Sequence, residues 1–125
     1  MNFLSLEDIL TLHENQVELY GGEQSIRDIG LLDSAIAQPR ATFGGEYLHS
    51  DVYEMAAAYL FHIVQNHPFV DGNKRTGVVA AMVFLDFNGV KIDAPKGSLH
   101  DLTLSVACGE AGKEQIADFF RGMTT

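Results

Sequence analysis

The stretch His67-Pro68-Phe69-Val70-Asp71-Gly72-Asn73-Lys74-Arg75-Thr76, with the segments on either side of it, decides how this chain folds. Upstream, Met55, Ala56, Ala58, Tyr59, Ile63 and Val64 recur at helical spacing up to Asn66. Asp51 and Glu54 stand at capping-box spacing at the start of that run. Pro68 ends it, because proline neither donates a backbone hydrogen bond nor tolerates a helical residue before it. Downstream, Asn73 to Phe87 carries Val78, Val79, Ala80, Ala81, Met82, Val83, Phe84 and Leu85. A helix apolar nearly all round belongs at the centre of a fold, and Asn88-Gly89 stops it.

Working outward, the segment from Ser5 to about Tyr20 reads as a helix, with Ser5 as N-cap, Glu7 and Asp8 in the first turn and Gly21-Gly22 as terminator. A second, short helix runs through Leu31, Leu32, Ala35 and Ile36 and ends before Pro39. Between Arg40 and Ser50, Gly44-Gly45 lies between Phe43 and Tyr47 without a helical period, which predicts an exposed flap, a loop or small hairpin. Val90-Lys91-Ile92 reads as a short extended connection, Ser98 with Asp101 starts a helix to about Cys108, and Gly112 to Phe120 forms the last one. About six helices, no strands long enough for a sheet, no repeat and no linker predict an all-α fold, one domain spanning 1–125.

Composition sets limits on function. A length of 125 residues and 46% hydrophobic residues suffice for one core. Seventeen acidic against eight basic side chains give a formal charge of −9, so the surface as a whole repels phosphate backbones and anionic membranes. Neither direct nucleic-acid binding nor membrane association is expected. The N-terminus lacks a basic, apolar leader and the one cysteine cannot form an internal disulfide, which predicts a cytoplasmic protein. Cys108, among Leu104, Val106 and Ala107, reads as a small buried thiol rather than a nucleophile.

Against that acidic background, Lys74-Arg75 supplies a quarter of the basic residues at one place, the start of a buried helix. Free N–H groups and the helix dipole make such a terminus attractive to anions. Gly72 would let backbone approach a phosphate closely, Arg75 offers a planar fork for bidentate contact, and Lys74 adds a compact charge. Asp71 is an oxygen ligand suited to Mg²⁺, which needs only one or two carboxylates when phosphates and water complete its shell. His67 could take a proton from an incoming hydroxyl. Each has a plain structural alternative: a capping histidine, a solvated Lys-Arg pair, an ordinary Asp-Gly-Asn turn. Two cations at the positive end of an apolar helix favour a site that holds an anion, and on residue physics alone both readings stay open.

The ten residues resemble the Fic/Doc signature, and the form with lysine at position 74 is similar to death-on-curing (Doc) toxins rather than to the larger adenylyl-transferring Fic enzymes. Tyr20-Gly21-Gly22, Ile26-Arg27-Asp28, Gly30-Leu31-Leu32, Pro39, Phe43-Gly44-Gly45, Phe84-Leu85 and Asn88-Gly89 extend the resemblance over the whole chain. It implies a helical Fic fold, a flap that docks the target, and a cognate antitoxin whose C-terminal segment folds against the toxin. It also implies His67 as catalytic base, Asp71 as Mg²⁺ ligand, and Phe69, Gly72, Asn73, Lys74 and Arg75 as the ATP site. The implied reaction is phosphorylation of a threonine of elongation factor Tu, with translation stopped as the result.

Two departures from the adenylylating pattern bear on the reaction: Lys74 stands where that pattern has glycine, and Val78 where it has a second arginine. Added bulk and charge in the groove favour an ATP pose that presents the γ-phosphate, so a kinase ranks above the alternative, an AMP transferase. A second alternative is a Fic-like binding module without turnover, which the intact His67 and Asp71 argue against. Thr42-Phe43-Gly44-Gly45-Glu46-Tyr47 comes near the internal inhibitory signature of self-restrained Fic proteins but departs at its last position. His13, His49, His62 and His100 show no zinc-ligand spacing, and His100-Asp101 reads as a pair in a helix's first turn.

Overall fold

Local chemistry sets where each helix begins in the structure, a computed structural model that describes residues 1–125. Helix α1 (Leu6–Tyr20) opens with a full capping box: the Asp8 N–H donates to the Ser5 side chain and the Ser5 N–H to the Asp8 carboxylate. Helix α2 (Ile29–Ala37) is capped by Asp28, which accepts from the Leu31 N–H. The chain then tightens into a 3₁₀ turn, Gln38–Arg40, which accommodates Pro39 near its start. Strands β1 (Thr42–Phe43) and β2 (Glu46–Tyr47) pair antiparallel, Thr42 opposite Tyr47 and Phe43 opposite Glu46. Gly44 and Gly45 have φ of 62° and 83°, the left-handed conformations a two-residue hairpin requires. The flap is thus a small hairpin, and Phe43 at its tip is 84% exposed.

Helix α3 (Val52–Asn66) follows, capped by Asp51. Only half of the expected capping box forms: the Glu54 N–H donates to Asp51, while the Glu54 carboxylate accepts from the Ser50 hydroxyl and from Arg121. Helices α4 (Asn73–Phe87), α5 (Ser98–Ala107) and α6 (Lys113–Gly122) complete an all-α fold of six helices and one hairpin. Helix α5 is capped by Gly97, not Ser98, whose hydroxyl instead donates to the Pro95 carbonyl. Ile92, in the connection read as extended, bridges to Thr124.

The central helix is α3 rather than α4. Helix α3 packs against α2, α4, α5 and α6, and Ala56, Ala57, Ala58, Tyr59, Leu60 and Ile63 are fully buried along it. In α4 the fully buried positions include Thr76, Ala80, Ala81, Phe84 and Leu85, while Val78, Val79, Met82 and Val83 are half-buried. Periodicity could not separate the two, because both stretches are rich in apolar residues and only tertiary packing distinguishes them. Leu4, Ile9, Leu32, Ile116 and Phe120 close the core. No helix is long and apolar enough to cross a membrane.

Candidate active site

The loop between α3 and α4 makes two backbone reversals. Helix α3 ends on His67, the only non-glycine residue with positive φ (φ 50°, ψ 53°). A left-handed conformation costs an ordinary side chain about 1–2 kcal/mol, and Pro68 contributes by disfavouring the right-handed helical region for the residue before it. Helix α4 starts after Gly72 (φ 82°, ψ 14°), a conformation suited to glycine. The turn between them hangs on Phe69, which is fully buried. Its N–H donates to the Asn73 side-chain oxygen and its carbonyl accepts from the Asn73 amide, both at 2.9 Å. One face of the Phe69 ring stacks on His13 at 3.7 Å between centroids, with the planes 6° apart. His13 is itself 3% exposed, and its Nε2 donates to the Asp71 carbonyl at 2.8 Å.

The segment before α2 laces onto the same loop. The Val70 N–H donates to the Ser25 carbonyl, and the Arg27 and Asp28 N–H groups both donate to the Pro68 carbonyl at 2.7 and 3.0 Å. The Arg27 guanidinium donates from Nε to the His67 carbonyl at 2.6 Å and from Nη2 to the Asn66 carbonyl at 2.9 Å. These are the C-terminal carbonyls of α3, a helix with no basic residue in its own last turn, so Arg27 supplies the cation that the negative end of the dipole favours.

A cleft of about 520 Å³ opens above the loop. His67, Asp71, Gly72, Asn73, Lys74 and Arg75 line it together, with Tyr20, Gly21 and Gly22 forming the opposite wall. Phe69 does not reach the cleft: its side chain lies beneath, against His13. Asn73 is 4% exposed and its side chain is engaged with Phe69, so its backbone is what it can offer a ligand. No side chain caps the start of α4. The Arg75 guanidinium donates from Nη2 to the Gly21 carbonyl and lies 5.5 Å over the Tyr20 ring, while its Nε is buried without a partner. The Thr76 hydroxyl is likewise buried and unpartnered. Neither Lys74 nor Arg75 is paired with a carboxylate.

An uncapped helix terminus, an arginine with an unsatisfied N–H and an exposed lysine fit the phosphates of a nucleotide. The fit to a metal is narrower. One Asp71 carboxylate oxygen accepts from the Glu23 N–H at 2.9 Å, and no three His, Cys, Asp or Glu side chains cluster as a protein cage. A single exposed carboxylate beside a phosphate-binding terminus suits Mg²⁺, which takes its other ligands from phosphate and water.

Sequence reasoning missed His13, Arg27 and the Glu23 N–H. Tyr20-Gly21-Gly22 and Ile26-Arg27-Asp28 stood out as landmarks, but nothing in their spacing shows that they touch the loop some 40 residues on. His13 gives no signal at all, since a histidine in an amphipathic helix is indistinguishable from a solvated one. Cys108 is exposed rather than buried, because it follows the last turn of α5 as its C-cap. His49 and His62 lie away from the cleft. Burial foremost, then the Lys113 ammonium, which donates to His62 Nε2 at 3.0 Å, pulls the His62 imidazole down to about 4. Burial and Lys113 lower His49 too, against the opposing pull of Glu54.

The fold thus brings a histidine, a carboxylate and two cations together at an uncapped helix start. The family model described as Fic: Fic/DOC family matches residues 3–85, and the chain belongs to the Fic/DOC family. It is 40% identical over 117 residues to "Toxin Doc" of Mycolicibacterium smegmatis, covering 92% of this chain and 88% of that protein. It is 35% identical over 122 residues to "Protein kinase doc" of Escherichia phage P1, covering 97% and 94%.

Proposed function

We propose that this chain is a toxin-type protein kinase that transfers the γ-phosphate of ATP to a serine or threonine hydroxyl of a translation factor, elongation factor Tu by family resemblance. The observation that carries the reading is the convergence of His67, Asp71, Lys74 and Arg75 on one cleft at the uncapped start of α4. The two relatives, one named as a toxin and the other as a protein kinase, support it. A cognate antitoxin is the partner that a toxin of this type implies.

In this reading the α4 N-terminus, Lys74 and Arg75 bind the phosphates, with Gly72 allowing their close approach. Phe69 and Asn73 shape the loop from below. Asp71 would hold Mg²⁺, which when bound neutralises charge on the phosphates. His67 accepts the proton of the attacking hydroxyl as its oxygen bonds to the γ-phosphorus and the bond to the β,γ-bridging oxygen breaks, releasing ADP. Lys74 lies at the junction of this cleft with a second depression lined by Val78, Val79 and Leu104. Its side chain fills space that a glycine would leave open, and Val78 puts an apolar group where an adenylylating enzyme has arginine. Both favour γ- over α-phosphate transfer.

The test incubates the protein with Mg²⁺, elongation factor Tu and ATP labelled at the γ- or the α-position, beside His67→Ala. Label transferred from the γ-position only, and lost in the variant, is the expected result. Transfer from the α-position overturns the kinase reading in favour of AMP transfer. Transfer from neither, with Mg²⁺-dependent ATP binding intact, favours the binding module.

A further inference from the structure

Arg27 lies outside the ten-residue motif, yet it is the side chain that grips the backbone of the proposed base. We infer that Arg27 is a positioning residue whose guanidinium holds His67 in its left-handed conformation and so fixes where the imidazole points. The inference rests on the reading of His67 as base.

Three observations converge on it. His67 is the only non-glycine residue with positive φ, a conformation that persists when surrounding structure enforces it. The imidazole is exposed and none of the protein's side-chain hydrogen bonds ends on it, so its direction depends on the backbone beneath. That backbone is held from one side by two adjacent residues, with Arg27 making most of the bonds. The Arg27 guanidinium bonds the carbonyls of residues 66 and 67, while its own N–H and that of Asp28 bond the carbonyl of residue 68. Three successive carbonyls around the turn are thus satisfied by two adjacent residues of the segment before α2.

Helix α3 alone cannot supply this restraint. The His67 N–H still bonds back to the Ile63 carbonyl at 3.2 Å, but the residue that follows is proline and donates nothing. Carbonyls at the end of a helix lack intrahelical partners. The fork of a guanidinium can bridge two neighbouring carbonyls, whereas an ammonium on a flexible stem makes less directional contacts. Without the bridge, His67 can relax toward the extended conformations usual before proline, which swings the ring away from the cleft.

The test compares the full chain with Arg27→Ala and Arg27→Lys, and with Arg121→Ala as a distant loss of an arginine. The His67 ring resonances, assigned by their disappearance in His67→Ala, report orientation without any activity. In Arg27→Ala they are expected to shift or broaden while the melting temperature falls no more than in Arg121→Ala. In γ-phosphate transfer, kcat is expected to fall about 10- to 100-fold, with the KM for ATP nearly unchanged and partial recovery in Arg27→Lys. Unchanged His67 resonances in both Arg27 variants overturn the inference, as does a kcat loss no larger than that of Arg121→Ala. If Arg27→Ala fails to fold, Arg27→Lys carries the same comparison. Wild-type protein that transfers no phosphate while its His67 signals still depend on Arg27 sinks the kinase reading and leaves the positioning intact.

Discussion

Asn73→Ala should destabilise the whole protein before it affects nucleotide binding. The Asn73 side chain makes two bonds, both 2.9 Å, to the N–H and carbonyl of Phe69, whose side chain is fully buried. Truncation orphans both backbone groups, and leaving a buried donor or acceptor unsatisfied costs about 1–3 kcal/mol each. Alanine recovers about 0.5 kcal/mol of helix propensity, so a net loss of about 1.5–5.5 kcal/mol is expected. For a chain of this size that lowers the melting temperature by roughly 10 °C, read by circular dichroism or calorimetry. Asn73→Asp sharpens the test. It keeps an acceptor for the Phe69 N–H but sets a second carboxylate oxygen against the Phe69 carbonyl. Protonation restores a donor, so its deficit relative to wild type should narrow as the pH falls below the carboxylate range. An Asn73→Ala melting temperature within about 2 °C of wild type, with ATP affinity lost instead, would refute this reasoning, because that pattern belongs to an amide in direct contact with the ligand.

Further expectations follow from the same geometry. ATP with Mg²⁺ should raise the melting temperature, by about 2.7 kcal/mol of added stability at a hundredfold excess over Kd, and Arg75→Ala should abolish most of that shift in differential scanning fluorimetry. His62 is held neutral, its value lowered from 6.5 to about 4, so the unfolded chain binds more protons between those limits. Its contribution to stability is therefore full above pH 6.5 and is lost as pH falls toward 4; His62→Gln should flatten that part of a urea-denaturation pH series. Removing the Tyr59 hydroxyl, which accepts from the Leu4 N–H at 2.8 Å in the core, should cost about 1–3 kcal/mol in Tyr59→Phe. Arg121→Ala removes exposed ion pairs to Asp51, Glu54 and Asp118 and should cost about 1 kcal/mol or less in the same unfolding assay.

What could be read from the sequence follows from how local each signal is. The Ser5 cap, the ends of α3 and α4 and the hairpin at Gly44-Gly45 depend on neighbours within a few residues, and they fall where the sequence places them. Seven of the motif residues meet at one cleft because the loop that carries them is continuous in the chain. The choice of α3 as the hub and the stacking of His13 under Phe69 depend on residues far apart in sequence. Phe69 shows the same limit within the motif, since a string of letters does not say which side chains face out of a loop and which face in.

The motif thus divides into two layers with different physical jobs. The outward layer, His67, Asp71, Lys74 and Arg75, carries charge or proton affinity and faces the cleft. The inward layer, Phe69 and the Asn73 side chain, is spent on holding the turn in shape, with His13 beneath and Arg27 alongside. Two cations at the positive end of a helix repel each other and the dipole, and no carboxylate compensates them. In a chain of net charge −9, two of the eight basic side chains stand at this one helix start, so the general field discourages stray polyanions while directed N–H groups suit the small anionic ligand proposed for the cleft. The turn stays standing because Phe69 and the Asn73 side chain satisfy each other, and this is why the stability of the loop and its proposed phosphate chemistry should separate under mutation.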